Sequence, residues 1–551
     1  MRRWDRETWV LALIAACVSV AAFLFYFQHR CILLYGDAVA HINIARRVFD
    51  SRTPGLLQLG TVWLPLPHLL MIPFLLSASL WRTGVGGSIP SLLAYVLGTL
   101  GVYRLVRGAL SFQSEPKIDA RLAGWLAALT YGANPNLIYL QTTAMTESLY
   151  LCLFIWAVVF CHEWIQSIRT ADFRVQASAS RSLAKCGLCL AGAELTRYDG
   201  WFAGMAVVGA AFLMAMREGR ISFRGDSKRL RRDLRNLLLI TAAAPAFWLA
   251  YNGIIYRNPL EFANGPYSAR AIEQKTATPG FPPHPGSHHL QAAAQYFVKS
   301  AEFNLAEGQL QKLWVTLAVL GTLLTLVLDA RLASLLLLWI PFPFYVLSIV
   351  YGGVPLFIPS WWPFSYYNVR YGIQLLPAAT VFVTLAIYFL ATLARPIQSK
   401  IALVVAGLTI VLGSYAWIWR TQPVCFREAW INSRTRLALE SQLADNLRRL
   451  PPDSSILMYL GDHVGALQDA GIPLRRVINE GNHRTWKQPS DPEGLWERAL
   501  ADPSRYADYV VGRVGDPVWR AVQQQTLQPI AQIEVAGQPP ATIYRTSRAG
   551  R

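Results

Sequence analysis

Charge is scarce in this chain. Only 15% of its 551 residues are Asp, Glu, Lys or Arg, while 53% are hydrophobic; soluble domains carry about a quarter charged residues. A water-soluble globule is excluded, because so little charge cannot cover so much apolar side chain. Acidic residues are the scarcer kind, 33 against 51 basic, for a net charge of +18. On a soluble surface that excess would point to nucleic acid. Here the basic residues gather in short loops between apolar runs, where they set membrane orientation, so no nucleic-acid partner is expected. Cysteine is sparse as well. Five of the seven (Cys17, Cys152, Cys161, Cys186 and Cys189) fall in apolar stretches, which excludes a disulfide framework. Cys186-x-x-Cys189 has no histidine or second pair nearby and reads as packing. A bridge between Cys31 and Cys425 stays open.

Long apolar runs dominate what is present. The first, Trp9 to Phe27, follows Arg2, Arg3 and Arg6. It is long enough to span about 30 Å of hydrocarbon and has no small-residue cleavage site, so it reads as a retained helix with a cytoplasmic N-terminus. Ten further runs lie near 91–110, 121–139, 148–164, 184–198, 201–216, 236–256, 310–329, 331–351, 371–394 and 400–419. The expected fold is a polytopic α-helical membrane protein of about eleven transmembrane helices. Basic patches at 104–121, 169–185 and 217–235, with Arg331, Arg395 and Lys400, settle the parity when placed in the cytoplasm. A first external loop, 28–90, and a long one, 257–309, then lie outside, with everything after 420. Residues 61–80 are apolar, but Pro65, Pro67 and Pro73 interrupt them, and a crossing there would turn every later basic loop outward. They read as a broken juxtamembrane segment.

The first external loop carries the acid of greatest interest. From Asp37 the positions Val39, Ile42, Ile44, Ala45 and Val48 suit a short interfacial helix. Asp37 and His41 are four apart and share a face. Position alone also allows a plain reading, with Asp37 starting the helix and Arg46 and Arg47 anchoring lipid headgroups. An acid just after the first span, a short helix ending in Ala45-Arg46, then a Gly and a Pro-rich apolar segment together resemble the glycosyltransferase C superfamily. The protein O-mannosyltransferases and the aminoarabinose-type lipid A transferases are the most similar. The resemblance covers roughly residues 5–420 in pattern. This chain has Gly36-Asp37-Ala38 where those relatives commonly have an Asp-Glu pair. It has Trp63-Leu64-Pro65-Leu66-Pro67 in place of their Lys-Pro-Pro. The subfamily stays open.

The resemblance implies a multi-helix core, a catalytic acid at Asp37 and a second acid at Glu147, after Met145-Thr146. By position Glu147 is equally a first-turn acid of the next helix. The resemblance also implies a lipid-phosphate site near Arg370-Tyr371, and Arg197 lies in a Thr-Arg segment of the kind these transferases carry. Left in lipid, Arg197 needs a partner such as Asp199 or Glu194, and Arg370 reads alternatively as snorkelling to headgroups. In the loop 257–309, Arg270 and Lys275 are further candidate phosphate contacts. Its Pro, Gly and His content argues against regular structure over most of its length and for a mobile lid. His284, His288 and His289 are bunched there without a second ligand cluster, which argues against zinc. His41, His68 and Tyr267 are candidates for lining the substrate cavity.

The expected activity is an inverting transfer of a sugar from a polyprenyl-phosphate donor on the outer face of a bacterial inner membrane. The acceptor is open among protein, lipid and polysaccharide; membrane lipids are the other partners. No Asp-x-Asp pair stands in the first loop, so no required divalent ion is implied. A transporter or lipid flippase is the competing class; such proteins also break helices around charge and many are built from repeats, but no matching halves are visible. After residue 420 the texture is that of a soluble domain, 421–551. A helix at 428–450 precedes strand-like runs SSILMYL, RRVIN, ADYVVG, IAQIEVA and ATIYRT, for a small α/β domain outside the membrane.

Overall fold

The structure is a computed structural model and describes residues 5–111, 119–169, 173–217, 228–276, 283–461, 463–482 and 494–550. Much of the expected basic loops therefore lies outside the described residues. Nine helices among the described residues are long and apolar enough to cross a membrane. They account for nine of the eleven expected runs. The other two also form helices but fall short. Ala120–Gly132 has 13 residues and ends before Asn134-Pro135, which start a separate short helix, Pro135–Leu140. Phe173–Glu194 is 22 residues long, with the polar FRVQASASRS as its first half and the apolar run from 184 as its second. The run at 201–216 extends to Asp199–Arg217 and is long enough to span.

Residues 61–80 do not cross. Leu66–Leu75 is a ten-residue helix with Pro65 at its cap, Pro67 in its first turn and Pro73 inside. That is about 15 Å at 1.5 Å per residue, half a bilayer core. The two most enclosed spans are Glu147–Arg169, 78% buried over its apolar window, and Val369–Leu393, 89%. They form the centre of the bundle, whereas Arg6–Gln28 is 22% buried and faces outward. Charge at the ends of the central pair is therefore charge at the heart of the molecule.

Two expectations about loops are corrected. The segment 257–309 is largely regular among its described residues, with helices Glu261–Asn264, Ala269–Thr276 and Leu290–Leu305. From Leu290 the buried positions Ala293, Phe297, Ser300, Ala301, Asn304 and Leu305 recur at helical spacing, giving one continuous packed stripe. His284, expected in a mobile lid, is buried and pairs with Glu273 at 2.9 Å. The plain reading of the first loop, with Arg46 as a headgroup anchor, does not hold. Arg46 is buried, bonds Asp50 at 2.8 Å and donates to the Leu75 carbonyl oxygen, tying the interfacial helix Gly36–Arg47 to Leu66–Leu75.

The last span, Ile397–Thr421, breaks at Gln422, whose φ is +69°, and Pro423. The chain continues as the helix Val424–Leu447 into the C-terminal domain. All five strand-like runs become strands of one sheet. These are β1 (Ile456–Met458), β2 (Val477–Ile478), β3 (Tyr509–Arg513), β4 (Gln528–Ile533) and β5 (Ala541–Arg545), in the order β2-β1-β3-β5-β4. β1 is parallel to β2 and β3, whereas β5 runs antiparallel to β3 and β4. A buried amide chain docks this domain on the first loop. Asn43 donates to Gln468 Oε1 at 2.7 Å, Gln468 Nε2 to the Trp81 carbonyl at 2.9 Å, and Trp81 Nε1 back to Asn43 Oδ1 at 3.0 Å. Cys31 and Cys425 are both free thiols; Cys425 Sγ donates to Asn304 Oδ1 at 3.2 Å.

Candidate active site

Four elements far apart in sequence bring their ends together around two guanidinium groups. Asp37 lies in the first turn of Gly36–Arg47. Glu147 opens the central span Glu147–Arg169. Arg197 and Asp199 stand at the break before Asp199–Arg217. Arg370 and Tyr371 lie in the 3₁₀ turn Val369–Leu375 that begins the other central span. Helix starts favour acids through the exposed N–H groups of the first turn, which suits three of these carboxylates where they stand.

Arg370 is the hub. One Nη bonds Asp37 Oδ2 at 2.6 Å, the other Glu428 Oε1 at 2.8 Å, and Nε lies 3.4 Å from Glu147 Oε1. Its backbone N–H also donates to Glu428. Arg197 bridges Thr146 Oγ1 at 2.9 Å, Glu147 at 3.3 Å, Asp199 at 3.5 Å and Tyr345 Oη at 2.8 Å. Glu194, the alternative partner, is not among them. The Arg197 and Arg370 guanidinium carbons lie 5.2 and 5.1 Å from the Tyr371 ring centroid, so both cations are within cation–π range of one ring. Arg370 is 8% exposed at its side chain, which excludes snorkelling to headgroups.

Exposure separates the carboxylates. Glu147, Asp199 and Glu428 are 0–1% exposed at their side chains, Asp37 42%. Four carboxylates face two cations, so neither guanidinium has charge to spare. An incoming anion can take a place on Arg370 only by displacing a carboxylate, and Asp37 is the one with access to solvent.

Beside this cluster His41 Nδ1 and His68 Nε2 are 2.8 Å apart, with His41 also packed on Trp63 at 4.6 Å between ring centroids. Burial, then the nearby positive charges of Arg197 and Arg370, push His41 down to about 3, so the ring is neutral near pH 7. His68 Nδ1 is buried without a partner. A bare nitrogen lone pair is tolerated there more readily than an orphaned N–H. The network therefore assigns His68 Nε2–H as donor to His41 Nδ1. The Nε2–H of His41 is then the donor that the pair offers to a ligand.

The sequence candidates divide. Asp37, Glu147, Arg197, Arg370 and Tyr371 meet in one cluster, with His41 and His68 beside it. Arg270 is exposed on Ala269–Thr276 and has no ion pair with the cluster among the described residues. The side chain of Lys275 lies outside the described residues. Tyr267 lines a separate cavity against the C-terminal domain. Sequence reasoning missed Glu428, Tyr345 and Tyr35, whose ring lies 5.1 Å from the Arg370 guanidinium. The sequence held no local signal for Glu428, which stands nine residues past the apolar run 400–419, at the start of the expected helix 428–450.

No family model matches the sequence, and no curated protein matches it. Solved structures do. ArnT from Cupriavidus metallidurans bound to undecaprenyl phosphate superposes with a TM-score of 0.56 at 14% identity, over 99% of this chain and 100% of that one. The same protein in the apo state gives 0.54 at 13% identity over 98% of each chain. The oligosaccharyltransferase AglB from Archaeoglobus fulgidus, with an inhibitory peptide and a dolichol-phosphate, gives 0.49 at 13% identity over 98% of this chain and 74% of that one. This chain is an integral membrane protein with the glycosyltransferase C fold, as the first-loop resemblance implied. The ArnT likeness runs the length of both chains, C-terminal domain included.

Proposed function

We propose that this protein is a membrane glycosyltransferase that moves a sugar from a polyprenyl phosphate to an acceptor hydroxyl, with inversion. The observation that carries the reading is the exposed Asp37 carboxylate held on the buried Arg370, within a fold that ArnT uses with undecaprenyl phosphate bound. Charge parity supports an orientation with the first loop and residues 421–551 outside the cytoplasm; in a bacterial inner membrane, as this reading has it, that is the side where nucleotide sugars are absent and lipid-linked donors present.

In this mechanism the donor phosphate takes the place of Asp37 on Arg370, with Arg197 beside it; a guanidinium holds a phosphate through two N–H groups at once. The displaced Asp37 is then free as general base. It takes the proton of the acceptor hydroxyl as that oxygen attacks the anomeric carbon. The bond from that carbon to the phosphate oxygen breaks with its electron pair, and polyprenyl phosphate leaves as an anion stabilised by the two cations. Base assistance of this kind is worth roughly 10²–10⁴-fold. The carboxylate–guanidinium cluster at helix ends supports a transferase over a transporter, whose site would lie at the midplane between repeats.

Purified protein incubated with radiolabelled polyprenyl-phosphate sugars should transfer label, and Asp37→Asn should reduce that by roughly 10²–10⁴-fold. Full transfer by Asp37→Asn would sink the mechanism.

A further inference from the structure

The interfacial helix has a second working face. Asp37 and His41 point to the charge cluster and to His68, whereas Gly36, Ala40, Asn43, Ile44 and Arg47 line a cavity of about 600 Å³. Its opposite wall is Tyr459–Gly461, Glu480 and Gly481. These residues directly follow β1 and β2, at the carboxyl ends of two adjacent parallel strands. That is where open α/β sheets bind ligands. Tyr256 at the end of the helix Lys228–Tyr256, Glu261 and Tyr267 of the external segment 257–309, and the stretch 57–63 complete the lining. The volume is in the range of sites for small organic ligands.

The lining chemistry is specific. Trp63, Tyr256, Tyr267 and Tyr459 supply aromatic faces; Glu261, Glu440 and Glu480 supply acceptor oxygens. Two cations stand among three acids, and one of them is tied up. Arg436 is occupied, with Nη1 on Glu440 at 2.6 Å and Nη2 on the Leu33 and Leu34 carbonyls at 3.1 and 3.0 Å. Burial pushes the Glu480 carboxyl up, and the nearby charge of Arg47, whose Nε is buried without a hydrogen-bond partner, offsets part of that rise. Gln58, 3% exposed, lies in the same wall and its carboxamide oxygen has no partner. Aromatic faces with carboxylate and amide acceptors suit C–H faces and hydroxyl groups; a phosphate would meet three acids.

We infer that this cavity holds the acceptor, and that the acceptor is a neutral carbohydrate whose hydroxyl reaches Asp37 from the Gly36 side. The inference rests on the transferase reading for the word acceptor, but not for the binding itself. The experiment is therefore direct binding. Full-length protein in detergent is titrated with neutral octyl glycosides of glucose, galactose and mannose, with octyl glucoside 6-phosphate, and with a Ser/Thr-containing peptide. At least one neutral glycoside should bind more tightly than the phosphorylated glycoside and the peptide. Tyr267→Ala, at a half-exposed position that spares folding, and Glu480→Gln should each weaken that binding roughly tenfold, the scale of one lost charged hydrogen bond or contact face. Undecaprenyl phosphate binding by each variant reports that the fold is intact. Stronger binding of the phosphorylated glycoside or of the peptide, no neutral binding, or neutral binding indifferent to both variants would overturn the inference. Failure of sugar transfer with binding intact would instead count against the transferase reading.

Discussion

Arg370 shows how much one side chain can carry. Its guanidinium faces Asp37, Glu147 and Glu428, two of them almost fully buried. Removing a buried cation leaves uncompensated charge and costs about 3–5 kcal/mol. Arg370→Met should therefore lose thermal stability in detergent as well as activity, whereas Asp37→Asn, at an exposed position, should lose activity with little change in melting temperature. Equal melting temperatures for wild type and Arg370→Met would contradict the hub. His41 makes a separate prediction about pH. Its value falls from the ordinary 6.5 to about 3 in the folded protein. Between those values the unfolded chain binds a proton that the folded one does not, so acidification destabilises the fold across that window. The loss is up to about 1.4 kcal/mol per pH unit. A His41→Asn variant should show a shallower drop in stability between pH 6.5 and pH 4 than the wild type, measured by thermal unfolding.

Elements position these residues through close approaches that sequence pattern does not display. The 3₁₀ turn Val369–Leu375 lies against Leu290–Leu305 at Gly372, where an added Cβ would overlap the Ser300 and Ala301 backbone. Backbone cannot yield as a flexible side chain does. Gly372→Ala should cost about 1–3 kcal/mol by overpacking and move Arg370, so transfer should fall further than thermal stability does. The amide chain Asn43–Gln468–Trp81 is the corresponding clamp for the C-terminal domain. Asn43→Ala leaves buried partners unmet, at about 1–3 kcal/mol. Limited proteolysis should then cut within 421–551 faster than in the wild type. The helix Leu290–Leu305 is the element the sequence reading passed over. Its preceding Pro-Gly-His stretch dominated the composition of the loop, while its own stripe of Ala293, Phe297, Ala301 and Leu305 was legible on its own terms.

At the scale of the whole molecule, orientation is the prediction. An alkaline phosphatase fused after residue 551 should be active in a bacterial host and a green fluorescent protein fused there dark; the reverse pattern would invert the parity. Much of this architecture was determined by the sequence alone. Apolar run length and loop charge are local properties, since each span must satisfy its own backbone in lipid. The spans, the Pro-broken segment at 61–80, the five C-terminal strands and the acid of the first loop could therefore be read in order along the chain. Arg197 could be nominated because charge left in lipid is costly enough to need a partner, whereas Asp37, Glu147 and Arg370 could be nominated through the family resemblance of the segments that carry them. Only the tertiary structure decided that they share one network, that Glu428 completes it, and that Arg270 stands apart. Pairing depends on which helix ends meet across 333 residues between Asp37 and Arg370, and that is set by packing. The scarcity of charge that marks this chain is thus local to its spans; where their ends meet, six charged side chains share one site.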